Sequence, residues 1–301
     1  MNAKPSKKPV IMFIHGAFMT PACWTPMRNF FINRGYETIA PAWPYHDRSM
    51  DELRSSPSAN LGKLGLAQIV DHHVQLIRAI PDKPILIGHS FGGLIAQILM
   101  DRGLGAAGIA IDPAASKGIN AGAYKTASKS VASILCKPWK KTAALTFAQF
   151  QYAFVNTLPL QEQKEAYRYS VPETTKIFFQ SALAGFNPDS PLTVNYKNGN
   201  RGPLLIIAGE KDHIVPAAMV KKNYELYDQQ SGAITQYVEF SGRSHWIIAE
   251  TGYTEVANYV LQWFQEQLRF ADFNEDSSEI DPYPIHHFPF SESEHWNETT
   301  L

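Results

Sequence analysis

Apolar residues in this chain gather into short unbroken runs, and between the runs they recur at helical spacing. Val10–Ile14, Pro84–Ile87, Gly108–Ile111 and Pro203–Gly209 are runs of the first kind. Their length and β-branched content predict strands buried on both faces. Glu37–Ala40 and the alternating Gln236–Phe240 add two more strands. Leu66, Ile69, Val70, His73, Leu76, Ile77 and Ile80 repeat at intervals of three and four, which predicts a helix with one apolar face. Pro26–Asn33, closed by Gly35, and Leu94–Met100 read as helices too. Strand and helix alternate, so the fold class is α/β, a doubly wound and mostly parallel sheet of about six strands.

The alternation stops between Pro113 and Gly202. There Ala123–Leu135, Thr142–Thr157, Leu160–Tyr169 and Glu173–Leu183 all read as helical. The chain therefore divides into a core from 1–112 and 203–269, a helical insertion at 113–202, and a tail at 270–301.

Candidate chemistry sits at the ends of the predicted strands. Gly88-His89-Ser90-Phe91-Gly92 stands between the strand Pro84–Ile87 and the helix Leu94–Met100. A G-x-S-x-G run in that setting is the sequence form of a nucleophile elbow, with Ser90 lifted above the sheet on a strained turn. A nucleophilic serine needs a base, and the base needs an orienting carboxylate. Asp212 lies in the loop after Pro203–Gly209, and His245 lies in the loop after Gln236–Phe240. Both sit at carboxyl ends of strands, where open α/β sheets build their sites. Asp112, after Gly108–Ile111, is the alternative acid.

The elbow, the G-x-x-D-x-x-x-P loop from Gly209 to Pro216 and the G-x-x-H loop from Gly242 to His245 together resemble the α/β-hydrolase fold family. The order Ser90, Asp212, His245 is the family's order. The resemblance spans roughly residues 9 to 268. It extends to His15-Gly16-Ala17 after the first strand, a turn that in the family supplies an oxyanion-hole amide. Carried over by position, the donors are the backbone N–H groups of Ala17 and Phe91, with Phe18 as runner-up to Ala17. His15 then braces the turn. The insertion falls where the family places a cap over the site, and the first hairpin of larger members is missing, as in plant methylesterases and hydroxynitrile lyases. Phe18 and Trp246 are candidates for the substrate pocket. Of the cap aromatics Phe147, Phe150, Tyr152, Phe154, Phe178, Phe179 and Phe186, most are expected in the cap's own core and two or three at the pocket.

These expectations make the chain a serine hydrolase of a small apolar carboxylic ester or acyl compound, with no cofactor and no metal. The alternatives on the same residues are a lyase, a C–C bond hydrolase, a cofactor-free haloperoxidase or perhydrolase, and a non-catalytic ligand-binding protein. His72-His73 diverge on a helix, and His286, His287 and His295 lack ligand spacing.

Charge and cysteine content narrow the setting. The net charge of −1 gives no basic face for nucleic acid. Two cysteines, Cys23 and Cys136, form no framework and read as reduced thiols. The apolar run after Lys4, Lys7 and Lys8 ends at His15-Gly16, too soon for a signal peptide. No stretch is apolar enough for a membrane span, so the expected location is cytoplasmic. The tail holds Asp272, Glu275, Asp276, Glu279, Asp281, Glu292, Glu294 and Glu298 with no Lys or Arg, leaving +7 on the rest. Its aromatics make it the candidate contact for a homo-oligomer.

Overall fold

The structure is a computed structural model that describes residues 8–276. Six parallel strands form one sheet: Ile11–Ile14 (β1), Thr38–Ile39 (β2), Ile85–His89 (β3), Ala107–Ile111 (β4), Leu204–Gly209 (β7) and Thr235–Phe240 (β8), in the order β2-β1-β3-β4-β7-β8. Two short strands, Thr142–Ala143 (β5) and Glu173–Thr174 (β6), pair antiparallel outside it. Strands β1, β3, β4 and β7 are buried along their whole length, which is why their sequences are apolar throughout. Edge strand β8 is buried only at its ends.

Ten helices flank the strands among the described residues: Thr25–Ile32 (α1), Met50–Ser55 (α2), Leu66–Arg78 (α3), Phe91–Asp101 (α4), Lys125–Leu135 (α5), Phe147–Ala153 (α6), Leu160–Tyr167 (α7), Lys176–Ala182 (α8), Ala217–Glu225 (α9) and Tyr253–Asp276 (α10). Phe13 of β1 packs on Phe31 of α1, and Phe31 on Phe264 of α10, with ring centroids 5.9 and 6.0 Å apart. Aromatic pairs of this kind contribute about 0.5–1.5 kcal/mol each beyond their burial.

Strand order reverses between β1 and β3. The chain leaves β1 toward β2, then returns to the other side of β1 and works outward through β8. At such a switch point the loops after neighbouring strands part and leave a crevice. His15-Gly16-Ala17 follows β1 there and Ser90 follows β3.

The insertion between β4 and β7 is less helical than its sequence pattern. Thr142–Thr157 is not one helix: Thr142 and Ala143 pair with Thr174 and Glu173 as a strand. Helix α6 starts only at Phe147, because Thr146 and Gln149 close a reciprocal capping box. The predicted Glu173–Leu183 likewise spends its first two residues in β6. The sequence pattern predicts none of helices α2, α9 and α10; Pro41–Leu64 reads as a loop, yet Ser49 and Glu52 close a capping box that starts α2 within it. Helix α10 runs on to Asp276, into the segment read as tail; the remainder of that tail lies outside the described residues.

Candidate active site

Ser90 is the N-cap of α4, with φ 57° and ψ −124°. A side chain at positive φ costs of order 1–3 kcal/mol and persists only where its surroundings enforce it. Here they do. A Cβ on Gly88 would come within 2.0 Å of the Gly92 carbonyl oxygen, and one on Gly92 within 2.0 Å of the Ile14 carbonyl oxygen. Only glycine lets strand, turn and helix close this tightly. Ser90 N–H donates to the Ile111 carbonyl at 3.0 Å, tying the elbow to β4. The positive end of the α4 dipole lies at the serine.

Gly16 brings the turn after β1 against the serine: a Cβ there would meet Ser90 Cβ at 2.7 Å. His15 is neutral and structural. Its Nε2 accepts the Trp43 N–H at 3.1 Å, so the ring proton is on Nδ1, 2.9 Å from the Gly16 carbonyl. Its ring stacks on Trp43 at 4.7 Å. Burial, then the nearby His46, holds its pKa well below the usual value. The Phe18 N–H donates to Glu173 Oε2 at 3.3 Å and is thereby committed, whereas among the described residues no acceptor engages the Ala17 N–H. Ala17, Phe18, Ser90 and Phe91 all line one cavity of about 530 Å³.

Asp212 and His245 pair beside that cavity without lining it, behind Phe154, Ile214 and Val215, which do. His245 Nδ1 donates to Asp212 Oδ2 at 2.5 Å, and both side chains are fully buried. Asp212 Oδ1 accepts the N–H groups of Ile214 and Val215 at 2.7 and 2.8 Å. Burial raises the Asp212 pKa, while three donors work to lower it, so of the two neighbouring carboxyls, Asp112 and Asp212, the charge is better held on Asp212. His245 Nε2 is buried with no hydrogen-bond partner among the described residues. Burial pushes its pKa down to about 3, so the imidazole is neutral and Nε2 carries a free lone pair at ordinary pH.

Asp112 takes a different role from its neighbour. Its backbone is strained, at φ 41°, and its Oδ1 accepts the Gly209 N–H at 2.7 Å. Burial, then the Asp212 charge, pushes its pKa well above the carboxylate range. Asp112 Oδ2 has no hydrogen-bond partner among the described residues, and its raised pKa favours the protonated acid, with Asp212 as the acceptor beside it. His89 supports the other side. Its Nε2 donates to the His245 carbonyl at 2.8 Å, and burial keeps it neutral.

Among the described residues, His89, Asp112 and His245 place ligand-type atoms within 4.8 Å of one another. His89 Nε2 and His245 Nδ1 are already engaged, so this group packs around the Asp212–His245 pair and is not an evident ion site.

The cavity roof comes from the insertion. Phe154, Phe178 and Phe186 line it, together with small residues such as Ala121, Gly122 and Ala182, and among the described residues no charged side chain does. Phe154 also meets the His245 ring edge-on at 4.9 Å. Phe150 stacks on Phe154 in the cap's own core. Trp246 does not line the cavity; it is buried between Phe150 and Tyr169. His213 faces Tyr152, outside it. Glu173, His46 and His89 are the site neighbours that sequence reasoning missed. Glu173 and His46 stand in no motif, and His89 occupies a variable position inside one.

The sequence profile of the alpha/beta hydrolase family matches residues 11–259, and the chain belongs to that family. The mouse (Mus musculus) protein ABHD8 is 32% identical over 83 residues, covering 28% of this chain and 18% of the mouse protein. The chain thus spans under a fifth of that relative. Several solved structures share the fold. The Arabidopsis methylesterase MES16 has a TM-score of 0.61 at 14% identity, covering 86% of this chain and 99% of that one. An extracellular alpha/beta-hydrolase from a Paenibacillus species has 0.60 at 19%, covering 85% and 98%. A point mutant of tomato methylketone synthase I has 0.63 at 12%, covering 87% and 99%. Among the described residues no helix is long and apolar enough to cross a membrane.

Proposed function

We propose that the protein is a serine hydrolase that cleaves an uncharged, apolar carboxylic ester through an acyl-enzyme. Ser90 Oγ attacks the carbonyl carbon while His245 Nε2 takes its proton. Asp212 holds the imidazole by Nδ1 and stabilises the cation that forms. The Ala17 and Phe91 N–H groups stabilise the oxyanion, a contribution of roughly 3–4 kcal/mol per donor in comparable sites. His245 returns the proton to the leaving alkoxide, and water repeats the sequence on the acyl group.

The observation that carries this reading is the pairing of a strained serine on the cavity floor with an imidazole whose Nδ1 is fixed by a carboxylate and whose Nε2 is bare. Ser90 and His245 are not hydrogen-bonded, and such contacts are often loose until substrate binds. The engaged Phe18 N–H favours Ala17 as the first donor. A cavity of this size, without charge on its walls, favours neutral substrates.

A p-nitrophenyl ester panel of increasing chain length, with fluorophosphonate labelling, tests the reading. Hydrolysis and labelling both lost in Ser90→Ala are expected. Labelling at Ser90 without cleavage of any ester would point to lyase, C–C hydrolase or perhydrolase chemistry.

A further inference from the structure

Glu173 is fully buried in strand β6 of the cap, where its carboxylate reaches down to the floor of the site. One oxygen, Oε1, accepts the Thr174 N–H at 2.8 Å. The other, Oε2, accepts the Phe18 N–H at 3.3 Å and lies 3.2 Å from His46 Nε2. Two residues earlier, the Val171 N–H donates to the Phe18 carbonyl at 2.9 Å. The cap therefore grips both polar groups of one backbone unit, and Phe18 is a buried residue at φ 65°. That conformation is strained for a side-chain-bearing residue and needs enforcement from outside. Phe18 directly follows Ala17.

His46 completes the arrangement. Its Nδ1 is 3.2 Å from the Pro44 carbonyl, and its Nε2 lies 3.2 Å from Glu173 Oε2 outside hydrogen-bond geometry. The Glu173 carboxylate beside it favours the protonated ring against the pull of burial. His46 is thus the buried counter-ion that the core sets against Glu173. His46 also flanks His15 and Trp43, with ring centroids at 5.7 and 6.0 Å, on the far side of the same turn. The surrounding cap segment is pinned to the core at either end: Arg54 donates to the Ser170 carbonyl at 2.9 Å, and Thr174 Oγ1 to the Leu64 carbonyl at 3.0 Å.

We propose that Glu173, with His46 as counter-ion, is a positioning residue that locks the turn carrying the Ala17 amide, so that the oxyanion hole is complete only while the cap is seated. The proposal rests on the serine-hydrolase reading above. It makes the cap part of the catalytic geometry as well as a wall of the pocket. With Glu173 removed, Phe18 relaxes toward negative φ, and the adjoining Ala17 N–H turns away from the developing charge. Ground-state binding in the apolar cavity is left intact.

The test compares Glu173→Ala, Glu173→Gln, His46→Gln and Ser90→Ala on p-nitrophenyl butyrate, with phenylboronic acid as a tetrahedral probe. The boronic acid forms an O–B bond to Ser90 Oγ, whose proton passes to His245, and the resulting borate uses the oxyanion donors. Glu173→Ala is expected to lower kcat by about 10- to 100-fold, at or below the loss of a whole donor, with KM within about threefold. Its affinity for the boronic acid falls by the same factor as kcat. Glu173→Gln keeps a carbonyl to accept the Phe18 N–H and recovers most of kcat. If Glu173→Ala does not fold, the smaller parallel losses in kcat and boronate affinity in Glu173→Gln and His46→Gln carry the test. An effect confined to KM, or equal losses in the Ala and Gln variants, overturns the proposal. A dead Ser90→Ala beside a Glu173→Ala with normal kcat overturns the positioning role of Glu173 alone. An active Ser90→Ala overturns the reading beneath it.

Discussion

The floor and the roof of this site are built by opposite means. The floor is positioned by backbone: parallel strands fix three loops, and tight Gly88 and Gly92 contacts force Ser90 into one strained conformation. The roof is positioned by side chains, in short helices joined by the two-residue pairing of β5 with β6. Backbone positioning tolerates almost no change, because a Cβ placed 2.0 Å from a carbonyl oxygen has nowhere to go. Side-chain positioning tolerates many sequences and so leaves substrate choice adjustable. Under the proposed function, chemistry falls to the floor and selectivity to the roof, and Glu173 is where the two meet.

Substitutions of the floor should have the largest effects. Ser90→Ala is expected to lower kcat by about 10⁶ and to abolish fluorophosphonate labelling, while circular dichroism and melting stay near wild type. Substantial residual activity would mean that the elbow serine is not the nucleophile.

The two buried carboxyl groups come next. Asp212→Asn should cost on the order of 10⁴ in kcat, since an amide holds the His245 imidazole in the wrong tautomer. Asp112→Asn should cost no more than a few-fold. Its amide oxygen can still accept the Gly209 N–H, and its amide N–H can still donate to Asp212, as the protonated acid does. The reverse ranking would transfer the orienting role to Asp112.

The same contrast explains what could be read from sequence. Strands β1, β3, β4 and β7 announce themselves because burial on both faces demands unbroken apolar runs. Ser90, Asp212 and His245 stand at predictable strand ends within glycine-marked turns, so local sequence suffices to propose them. Strands β5 and β6 are invisible locally: Thr142-Ala143 and Glu173-Thr174 are strands only because they find each other across some thirty residues. Glu173 reads as a helix-start acid until the fold sets it against His46 and Phe18. Trp246 is adjacent in sequence to His245 yet turns into the cap core, since neighbouring side chains need not share a surface.

Changes to the roof should alter selectivity and spare the chemistry. Val131→Phe and Ala182→Phe project new bulk into the cavity from α5 and α8. We expect kcat/KM for p-nitrophenyl octanoate to fall about tenfold, the scale on which apolar pockets discriminate, with the acetate ester nearly unaffected. Equal losses on both esters would show that these helices position the reacting groups after all.

The smallest effect separates floor from roof by pH. His15, His89 and His245 on the floor, and His73 beneath it at about 4, have pKa values lowered by burial. A lowered histidine stabilises the fold above its unfolded value of 6.5, and that stability is lost as pH falls toward the folded value. His46 runs the other way. Burial works to lower its pKa, but the Glu173 carboxylate, helped by Asp47, outweighs burial and raises it. Its contribution is therefore full below 6.5 and is lost as pH rises through the raised value. Melting temperature should accordingly decline on both sides of neutrality, by a few degrees where one such group is lost. In thermal melts from about pH 5 to 9, His46→Gln should flatten only the alkaline flank, and His73→Gln should flatten part of the acid flank. An alkaline decline unchanged in His46→Gln would show that the buried pair joining cap to core is not an ion pair whose charge sustains the fold.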